Sequence, residues 1–336
     1  NDWGRARDRG EWVTRSGEFD WISTYLAPLA AKNSFGLRDD AALLDVPDGQ
    51  SLIVTQDAIA ESIHFLPDDP LDQVAQKALR VNISDIVAKG GRPHSYSLAL
   101  GIPDHWRDAD MARFAEGLAA DNDYYGLSLT GGDTYRSPGQ LTIAVTMFAM
   151  IDRRNYRSRI GAKQGDLIFV TGTIGNSALG LKAVTGALDV QSADREFLIN
   201  AYRRPDPPLA AAGAVSQFAS ASMDISDGLI GDCRKLCSAS QVAAVVYRDK
   251  LPLSDVANKL IAKDQSLWSS ILAGGDDYQV LCTVNPADAD AFAQCLAEKN
   301  TEATQIGTIK AANNAGVALD IDGVEVSIEQ DSYTHF

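Results

Sequence analysis

The chain has 336 residues, more than a single hydrophobic core usually organises, so we expect two domains. Its formal charge of −15 disfavours nucleic acid or an anionic membrane as a partner. No apolar run approaches the roughly 20 residues of a membrane-spanning helix, and the 4 cysteines form no C-x-x-C pair, so we expect a cytoplasmic protein without a zinc site.

The first residues look unlike the rest of the chain. Residues 1–16 are rich in arginine and show no hydrophobic period, and we expect a disordered or vector-derived leader there. Apolar residues at helical spacing follow and predict a helix from Phe19 to Leu29. The stretches "AALLDV" and "SLIVTQD" then predict two strands joined by a Pro-Asp-Gly turn.

Side chains alternate along the second of these strands, which places Thr55 and Asp57 on one face and Gln56 on the other. The stretch "DPLDQVAQKALRVNISDIVAKGG" comes next and predicts a long helix. Pro70 suits its first position, and the two final glycines stop it.

Strands and helices continue to alternate along the remaining chain. Strands are predicted at "SYSLALGI", "LSLTGGDT", "LTIAVTMFAMI", "LIFVTG", "ASMDI", "VAAVVY", "YQVLCTV" and near 305–328, and helices at "WRDADMARFAEGLAADNDYY", "GLIGDCRKLCSAS" and "ADADAFAQCLAEK". The basic, unpatterned segment "DRRNYRSRIGAKQGD" marks a boundary between an N-terminal domain, 17–151, and a C-terminal domain, 152–336. The alternation indicates an α/β (α+β) fold.

The usual signatures of phosphate binding and hydrolysis are missing. The sequence has no Walker A lysine, no G-x-G-x-x-G loop, no kinase H-R-D or D-F-G and no G-x-S-x-G elbow. What recurs instead is a set of acids at strand ends and glycine turns: Asp39, Asp40, Asp57, Asp85, Asp133, Asp224, Asp227, Asp276 and Asp277.

Each of these acids alone is typical of a solvated surface or a turn. Their recurrence beside apolar strands favours a cation site, and oxygen ligands without cysteine or histidine clusters favour Mg²⁺ over zinc. In "DISD" the strand period aligns Asp224 with Ser226. The chain then turns at Asp227 and Gly228 into a helix, and we expect Asp227 to cap its first turn.

Together these motifs resemble the thiamine-monophosphate kinase family, in the superfamily of aminoimidazole ribonucleotide synthetase and selenophosphate synthetase. The resemblance runs from residue 17 to the end of the chain. It is carried by "RDDAAL", "TQDAIAESIHF", "KALRVNISDIVAKGGRP", "LTGGDT", "RSRIGAKQGD", "VTGTIGNSALGL", "RRPDPP", "MDISDGL" and "AGGDDYQVL".

The resemblance implies a two-domain aminoimidazole ribonucleotide synthetase-like fold, with mixed sheets flanked by helices, and ATP-dependent phosphorylation of thiamine phosphate to thiamine diphosphate. This is the last step of thiamine diphosphate biosynthesis. It also implies several Mg²⁺ ions, ATP as co-substrate, and a homodimer that pairs through its N-terminal domains.

The resemblance also implies roles for individual residues. It implies metal ligation by Asp40, Thr55, Gln56, Asp57, Asp85, Asp133, Asp224 and Asp227. It implies nucleotide contacts by Gly132, Asp133, Arg159 and Ser226. It implies contacts to thiamine phosphate by His64, Asp276 and Tyr333.

The sequence departs from the family pattern at three positions. Arg38 stands where the family usually has glycine, Gln56 interrupts a usual Ser/Thr pair and offers only a carbonyl oxygen, and Asp276 replaces a glutamate. The shorter Asp276 side chain predicts a looser or water-mediated contact with the substrate ring.

The chemistry of the acceptor explains the shortage of histidine. A phosphate monoester has a second pKa of about 6 and is largely deprotonated at neutral pH. A general base is therefore not required, and we expect direct in-line transfer without a phospho-enzyme.

Two other functions stay open at this point. One is another ATP-using enzyme of the superfamily, acting on an aminoimidazole precursor or on selenide. The selenide reaction is disfavoured because no cysteine precedes Cys233. The other is a non-catalytic protein that binds Mg²⁺ or nucleotide.

Overall fold

The computed structural model describes residues 15–312 and 316–327. Its helices are α1 (Glu18–Trp21), α2 (Leu71–Ala88), α3 (Asp108–Tyr125), α4 (Asn176–Val184), α5 (Ser192–Arg203), α6 (Ala212–Phe218), α7 (Leu229–Ser240), α8 (Asp255–Lys263), α9 (Leu267–Ala273) and α10 (Ala289–Ala297). Its strands are β1 (Gln50–Ala60), β2 (Arg92–Pro103), β3 (Leu129–Ser137), β4 (Thr142–Asp152), β5 (Leu167–Thr171), β6 (Ala219–Asp224), β7 (Ala243–Tyr247), β8 (Val280–Val284), β9 (Ala303–Lys310), β10 (Val317–Ile321) and β11 (Val324–Ser327). Among these described helices, none combines the length and apolarity needed to cross a bilayer.

The first sheet has four strands in the order β1-β4-β2-β3. β4 pairs antiparallel with β1 and β2, whereas β2 and β3 run parallel. The predicted alternation in β1 is confirmed: Thr55 and Asp57 share the half-buried face with buried Ile53, and Val54 and Gln56 lie exposed on the other face. β1 and β3 are the opposite edges of this sheet.

The second sheet has seven strands in the order β11-β10-β7-β9-β5-β8-β6. The β10–β7 pair is parallel and the other pairs are antiparallel, so this sheet is also mixed. Apolar side chains from α7, α8 and α9 pack on this sheet in a second core. Two mixed sheets with helices agree with the expected fold class.

Helix α2 lies between the two sheets. It contacts β1 and β4 of the first sheet and β6 and β8 of the second. Most of its surface is therefore buried, including the polar residues Lys77 and Arg80. A buried cation needs a partner, and Arg80 donates to both carboxylate oxygens of Asp121 at 2.8 and 2.9 Å. The helix thus carries polar groups into the space between the sheets.

One prediction for the N-terminal region is wrong, and another is confirmed in part. The stretch "AALLDV" is irregular and forms no strand. The segment predicted as a helix from Phe19 to Leu29 is helical throughout, but it consists of α1 followed by a π-helical turn and a 3₁₀ turn. Pro28 in the last turn lacks the N–H that a continued α-helix would require there.

Most of the proposed leader, residues 1–14, lies outside the described residues. The last two of its residues contact the first domain. The backbone N–H and the hydroxyl of Ser16 donate to the Asp108 carboxylate at 2.8 and 2.9 Å. Arg15 donates to the Asp104 carbonyl at 2.6 Å and lies over the Trp21 ring.

Candidate active site

Four carboxylates from both sheets and from α2 surround one cavity of about 1190 Å³. Asp57 lies on β1, Asp85 on α2 and Asp224 at the end of β6, and Asp227 follows in the next loop. The sequence separates these residues widely, and α2 brings them together because it packs against both β1 and β6. We call these four residues the carboxylate cluster.

Hydroxyl groups hold two members of the cluster in place. Thr55 donates from its Oγ1 to Asp85 Oδ2 at 2.5 Å. Ser84 donates from its Oγ to Asp224 Oδ2 at 2.8 Å, which links α2 directly to β6. Thr55 therefore lies beside the cluster, in contact with one of its carboxylates.

The cluster is electrostatically unfavourable as a set of charged acids. Burial, with the added repulsion of Asp85 and then Asp227, raises the pKa of Asp57 to about 6. Burial, with repulsion from Asp85, also raises the pKa of Asp224 well above its usual range, although the Ser84 hydrogen bond and Lys89 act in the opposite sense. The positive charge near Asp57 and Asp224 therefore does not offset the burial and mutual repulsion of these two carboxylates.

A divalent cation would supply that charge. The donor set consists of carboxylate and hydroxyl oxygens, which suit Mg²⁺. No three His, Cys, Asp or Glu side chains within 15–312 and 316–327 converge closely enough to form a complete metal cage. That spacing is compatible with Mg²⁺, which usually keeps several waters and takes only one or two protein carboxylates.

Asp232 organises the loop between β6 and α7. Its Oδ2 accepts from the backbone N–H groups of Ser226 and Asp227 at 3.0 Å and of Gly228 at 3.2 Å. The side chain is fully buried. The predicted capping role of Asp227 is therefore wrong, because an acid one turn into α7 already satisfies the free amides of its start.

Asp227 is left to pair with Lys235, which also donates to Asp232 Oδ1 at 2.8 Å. Gly228 turns the chain between them with φ of 123°, and a Cβ there would lie 2.7 Å from the backbone carbon of Ala273. Only glycine fits that turn. The sequence signal for Asp232 is its placement one turn into an apolar helix.

The other end of the cavity holds His64 and Asp276. Lys77 joins them: its Nζ donates to the His64 carbonyl at 2.9 Å and to Asp276 Oδ2 at 2.7 Å. Asp276 Oδ1 also accepts from the Tyr278 hydroxyl at 3.1 Å. Lys77 was missed by the sequence reasoning, and its signal is a lysine in the middle of an otherwise buried helix.

The His64 ring has a defined tautomer when neutral. Its Nδ1 accepts from the Ala60 backbone N–H at 3.1 Å, so its proton lies on Nε2. Arg159 and Ser226 line the same cavity as His64. The backbone N–H of Ser226 is used by Asp232, and its hydroxyl is the group available to a ligand. Tyr333 lies outside the described residues.

The structure does not bring every predicted ligand to the carboxylate cluster. Asp40, Gly132 and Asp133 line a different cavity of about 510 Å³. Gly132 and Asp57 occupy the same cross-strand row, but on opposite edges of the first sheet. Three spacings of ~4.8 Å separate them by roughly 14 Å. Within this chain Asp40 and Asp133 therefore lie apart from the carboxylate cluster, and their metal ligation stays a prediction.

Gln56 is the remaining predicted ligand. Its side chain lies on the exposed face of β1, opposite to Thr55 and Asp57. Strand geometry makes this unavoidable, because adjacent residues point to opposite faces. Of the groups of Gln56, only the backbone stays near the cluster.

Comparisons with known proteins agree with this arrangement of two domains and a site between them. Two family models match, the N-terminal domain of AIR synthase related proteins over residues 38–151 and their C-terminal domain over 163–320. The fold and the site therefore define a protein of the AIR synthase-related class.

Individual proteins are more specific. The chain is 36% identical to the thiamine-monophosphate kinase of Caulobacter vibrioides over 323 residues, 95% of this chain and 90% of that protein. The crystal structure of that kinase from Stenotrophomonas maltophilia superimposes with a TM-score of 0.78 at 34% identity, covering 85% of this chain and 90% of the other. The structure of AaThiL complexed with AMPPCP and TMP superimposes with a TM-score of 0.77 at 29% identity. The match covers 97% of this chain and 100% of the other. This chain belongs to the thiamine-monophosphate kinase family.

Proposed function

We propose that this protein transfers the γ-phosphoryl group of ATP to thiamine phosphate and so forms thiamine diphosphate. The observation that carries the proposal is the single cavity of about 1190 Å³ that contains the carboxylate cluster, Arg159, His64 and Asp276. A similar chain has been crystallised with AMPPCP and TMP. Family membership and this cavity support the same reaction.

The acceptor end of the cavity orients thiamine phosphate. The Nε2–H of His64 is a hydrogen-bond donor for the acceptor phosphate, since Nδ1 is occupied by Ala60. The carboxylate of Asp276, held by Lys77 and Tyr278, offers an acceptor for the amino group of the thiamine ring. Asp276 is shorter than the usual glutamate, and its two bonds fix the position of the carboxylate.

The donor end orients the nucleotide phosphates. Arg159 offers a planar, bidentate donor for phosphate oxygens, and Ser226 adds its hydroxyl. The acceptor oxygen is already deprotonated, so the protein supplies position rather than a general base. The displaced ADP carries the charge of the broken P–O bond, and no covalent intermediate on the protein is needed.

Magnesium fits the carboxylate cluster on the chemistry of its donors. Asp57, Asp85, Asp224 and Asp227 would hold several magnesium ions, with one or two carboxylates to each ion and with Thr55 orienting Asp85. Bound magnesium supplies positive charge that screens the two anionic substrates from each other. Asp40, Gly132 and Asp133 form a separate group, for which we retain the proposed nucleotide and metal contacts.

We also propose that 17–151 forms the nucleotide-binding and dimerisation domain, and that 152–336 completes the active site of a cytoplasmic homodimer. The outward face of the first sheet supports the dimer. Val54 on this face is 55% exposed, and Leu52, Phe148 and Met150 are partly exposed beside it. An apolar face of this kind is typical of protein interfaces.

The decisive experiment measures ATP consumption by the purified protein. We expect it to require both Mg²⁺ and thiamine phosphate, and to be unaffected by selenide or an aminoimidazole precursor. Asp57→Asn and Asp224→Asn should each lower kcat by at least ~100-fold, because each removes a charged ligand at the reacting phosphates.

Asp72→Asn is the matched control. Asp72 is an acid on the same helix as Asp85, and it pairs with Arg113 on the surface. Its kinetics should stay close to those of the unchanged protein. Activity that persists after EDTA treatment, or that thiamine phosphate does not stimulate, contradicts the proposal.

A further inference from the structure

A second cavity of about 1190 Å³ lies beside the catalytic one. Its walls come from the turn between α2 and β2, the end of α3, the segment "RRPDPP" and the turn between α10 and β9. Ser177 lines both cavities. The proposed phosphoryl transfer makes no use of "RRPDPP", although this segment is one of the most distinctive in the sequence.

The two arginines of that segment behave differently. Arg203 donates from its Nε to Asp69 Oδ1 at 2.6 Å, and this pair has a structural role. Arg204 lines the second cavity, and its Nε is buried without a hydrogen-bond partner. A buried donor without a partner in the protein is uncommon, and such a group is satisfied by water or by a ligand.

Two further cations line the same cavity. Arg92 stands at the start of β2, and Lys299 follows α10. Within the described part of the chain, Arg92, Arg204 and Lys299 make no side-chain hydrogen bond or ion pair. Three unpaired cations around one cavity are unusual in a chain with a net charge of −15.

Three acids also line the cavity, and within the described residues none of them forms an ion pair with these cations. Asp277 is engaged by the backbone N–H groups of Gly175, at 2.7 Å, and Ser177. Asp206 accepts from the Tyr125 hydroxyl. Glu302 is the remaining acid in the wall, and it is exposed to solvent. The three cations therefore keep their donor groups free for an external acceptor, although the acids of the wall offset much of their net charge.

Aromatic and amide groups complete the wall. Tyr124 is 68% exposed and Phe197 is 46% exposed, so both rings are accessible for stacking. Asn200 and Asn300 add side-chain amides that both donate and accept. Cations beside exposed rings suit a ligand that joins a phosphate chain to a planar group.

We propose that this cavity is a second ligand site, separate from the carboxylate cluster, for a small molecule that carries a diphosphate. Arg92, Arg204 and Lys299 bind the phosphate oxygens, and Tyr124 and Phe197 contact the organic part of the ligand. Nucleoside diphosphates and other organic diphosphates share this chemistry.

The test uses the full chain in EDTA, because the carboxylate cluster without metal repels anions. Isothermal titration with inorganic pyrophosphate and with ADP should show binding. The triple substitution Arg92→Ala, Arg204→Ala, Lys299→Ala should weaken it at least tenfold. ADP binding tighter than pyrophosphate, with the difference lost in Tyr124→Ala, identifies a nucleotide; equal affinities identify the diphosphate alone as the recognised group.

Two controls make the result specific. Arg159→Ala removes a cation of the catalytic cavity and should leave this binding unchanged, as should Lys263→Ala at the exposed end of α8. If the triple variant does not fold, Arg92→Ala and Lys299→Ala are tested singly, and each should also weaken the binding. Absence of binding at millimolar concentrations, or binding that Arg159→Ala abolishes and the triple variant retains, overturns the proposal.

Discussion

Lys77 ties the acceptor end of the catalytic cavity to the core of the fold. Its side chain is 2% exposed, and it pairs with an Asp276 carboxylate that is 29% exposed. It also lies over the Tyr202 ring, with 4.2 Å between Nζ and the ring centroid. A single residue therefore fixes Asp276, the His64 carbonyl and an aromatic wall at once.

Lys77→Met tests this role. The substitution keeps the bulk of the side chain but leaves Asp276 without its cation. We expect a loss of about 2–3 kcal/mol in the free energy of unfolding, measured with urea, because one partner of a mostly buried pair is removed. The KM for thiamine phosphate should rise more than the KM for ATP.

Arg113→Met is the control for Lys77→Met, since Arg113 pairs with Asp72 and is 57% exposed. It should cost less than ~1 kcal/mol, as exposed ion pairs do. Equal losses in the two variants would contradict the role assigned to Lys77.

Asp277 gives a prediction for pH. Burial raises its pKa to about 7, although the amides of Gly175 and Ser177 act to lower it. An unfolded aspartate titrates near pH ~4. Between these values the folded chain holds the extra proton, so stability falls as pH rises toward 7.

Asp277→Asn should therefore flatten the fall in urea stability between about pH 4 and pH 7. It should not abolish the fall, because Asp57 also has a raised pKa. Asp123→Asn, at an exposed acid on α3, serves as the control. An unchanged pH slope in Asp277→Asn would count against this assignment.

At the scale of elements, the start of α7 shows how a loop is prepared for chemistry. Asp232 accepts three successive backbone amides, and Gly228 provides the turn that aims them at one carboxylate. Asp224 and Asp227 both precede this turn, and the fixed backbone of the loop sets their positions. The loop is thus held without help from the substrate.

Gly228→Ala should disrupt the loop. Its φ of 123° and the 2.7 Å approach to Ala273 mean that a methyl group both strains and displaces the backbone. We expect destabilisation of more than ~2 kcal/mol together with a fall in kcat. Thermal unfolding and steady-state kinetics measure both.

Gly186→Ala separates strain from collision. Gly186 also has a positive φ, of 78°, but a Cβ there would meet no atom within 4 Å. Its cost should be about 1 kcal/mol, with normal kinetics. If Gly228→Ala behaves like Gly186→Ala, the turn does not depend on close packing.

The sequence predicts elements here better than it predicts contacts. Strong periodicity located α2 and β4 nearly to the residue, because a buried face imposes a regular pattern. The irregular "AALLDV" has the composition of a strand but no pairing partner, and composition alone does not reveal that. The sequence predicts Asp227 as the cap of α7, whereas Asp232 accepts the free amides. Both acids suit a helix start, and only the folded geometry distinguishes them.

At the scale of the whole molecule, the order of strands decides which residues meet. Asp57 and Asp133 look equivalent in sequence, as acids within strands of one sheet, yet the order β1-β4-β2-β3 places them on opposite edges. Strand order depends on long-range pairing, which local patterns do not specify. The role of Lys77 is not predictable from local patterns for the same reason, because its partner Asp276 is 199 positions away along the chain.

The proposed dimer gives a prediction at this scale. Val54→Asp places a charge on the apolar outer face of the first sheet and should shift the protein from dimer to monomer in light scattering. Val324→Asp is the control, because Val324 is 62% exposed at the far edge of the second sheet. The proposed dimer is contradicted if the protein without substitutions is a monomer in light scattering. It is also contradicted if Val54→Asp stays a dimer.

The position of α2 sets a limit on how the protein can move. Lys77 and Asp85 belong to the same uninterrupted helix, eight residues apart. Lys77 lies at the acceptor end of the catalytic cavity, and Asp85 belongs to the carboxylate cluster at the other end. At 1.5 Å per residue their backbones are held about 12 Å apart by helical pitch alone. Any motion that keeps α2 intact leaves this span unchanged. The anchor of Asp276 and the nearest carboxylate of the cluster therefore keep one spacing whether the site is empty or filled.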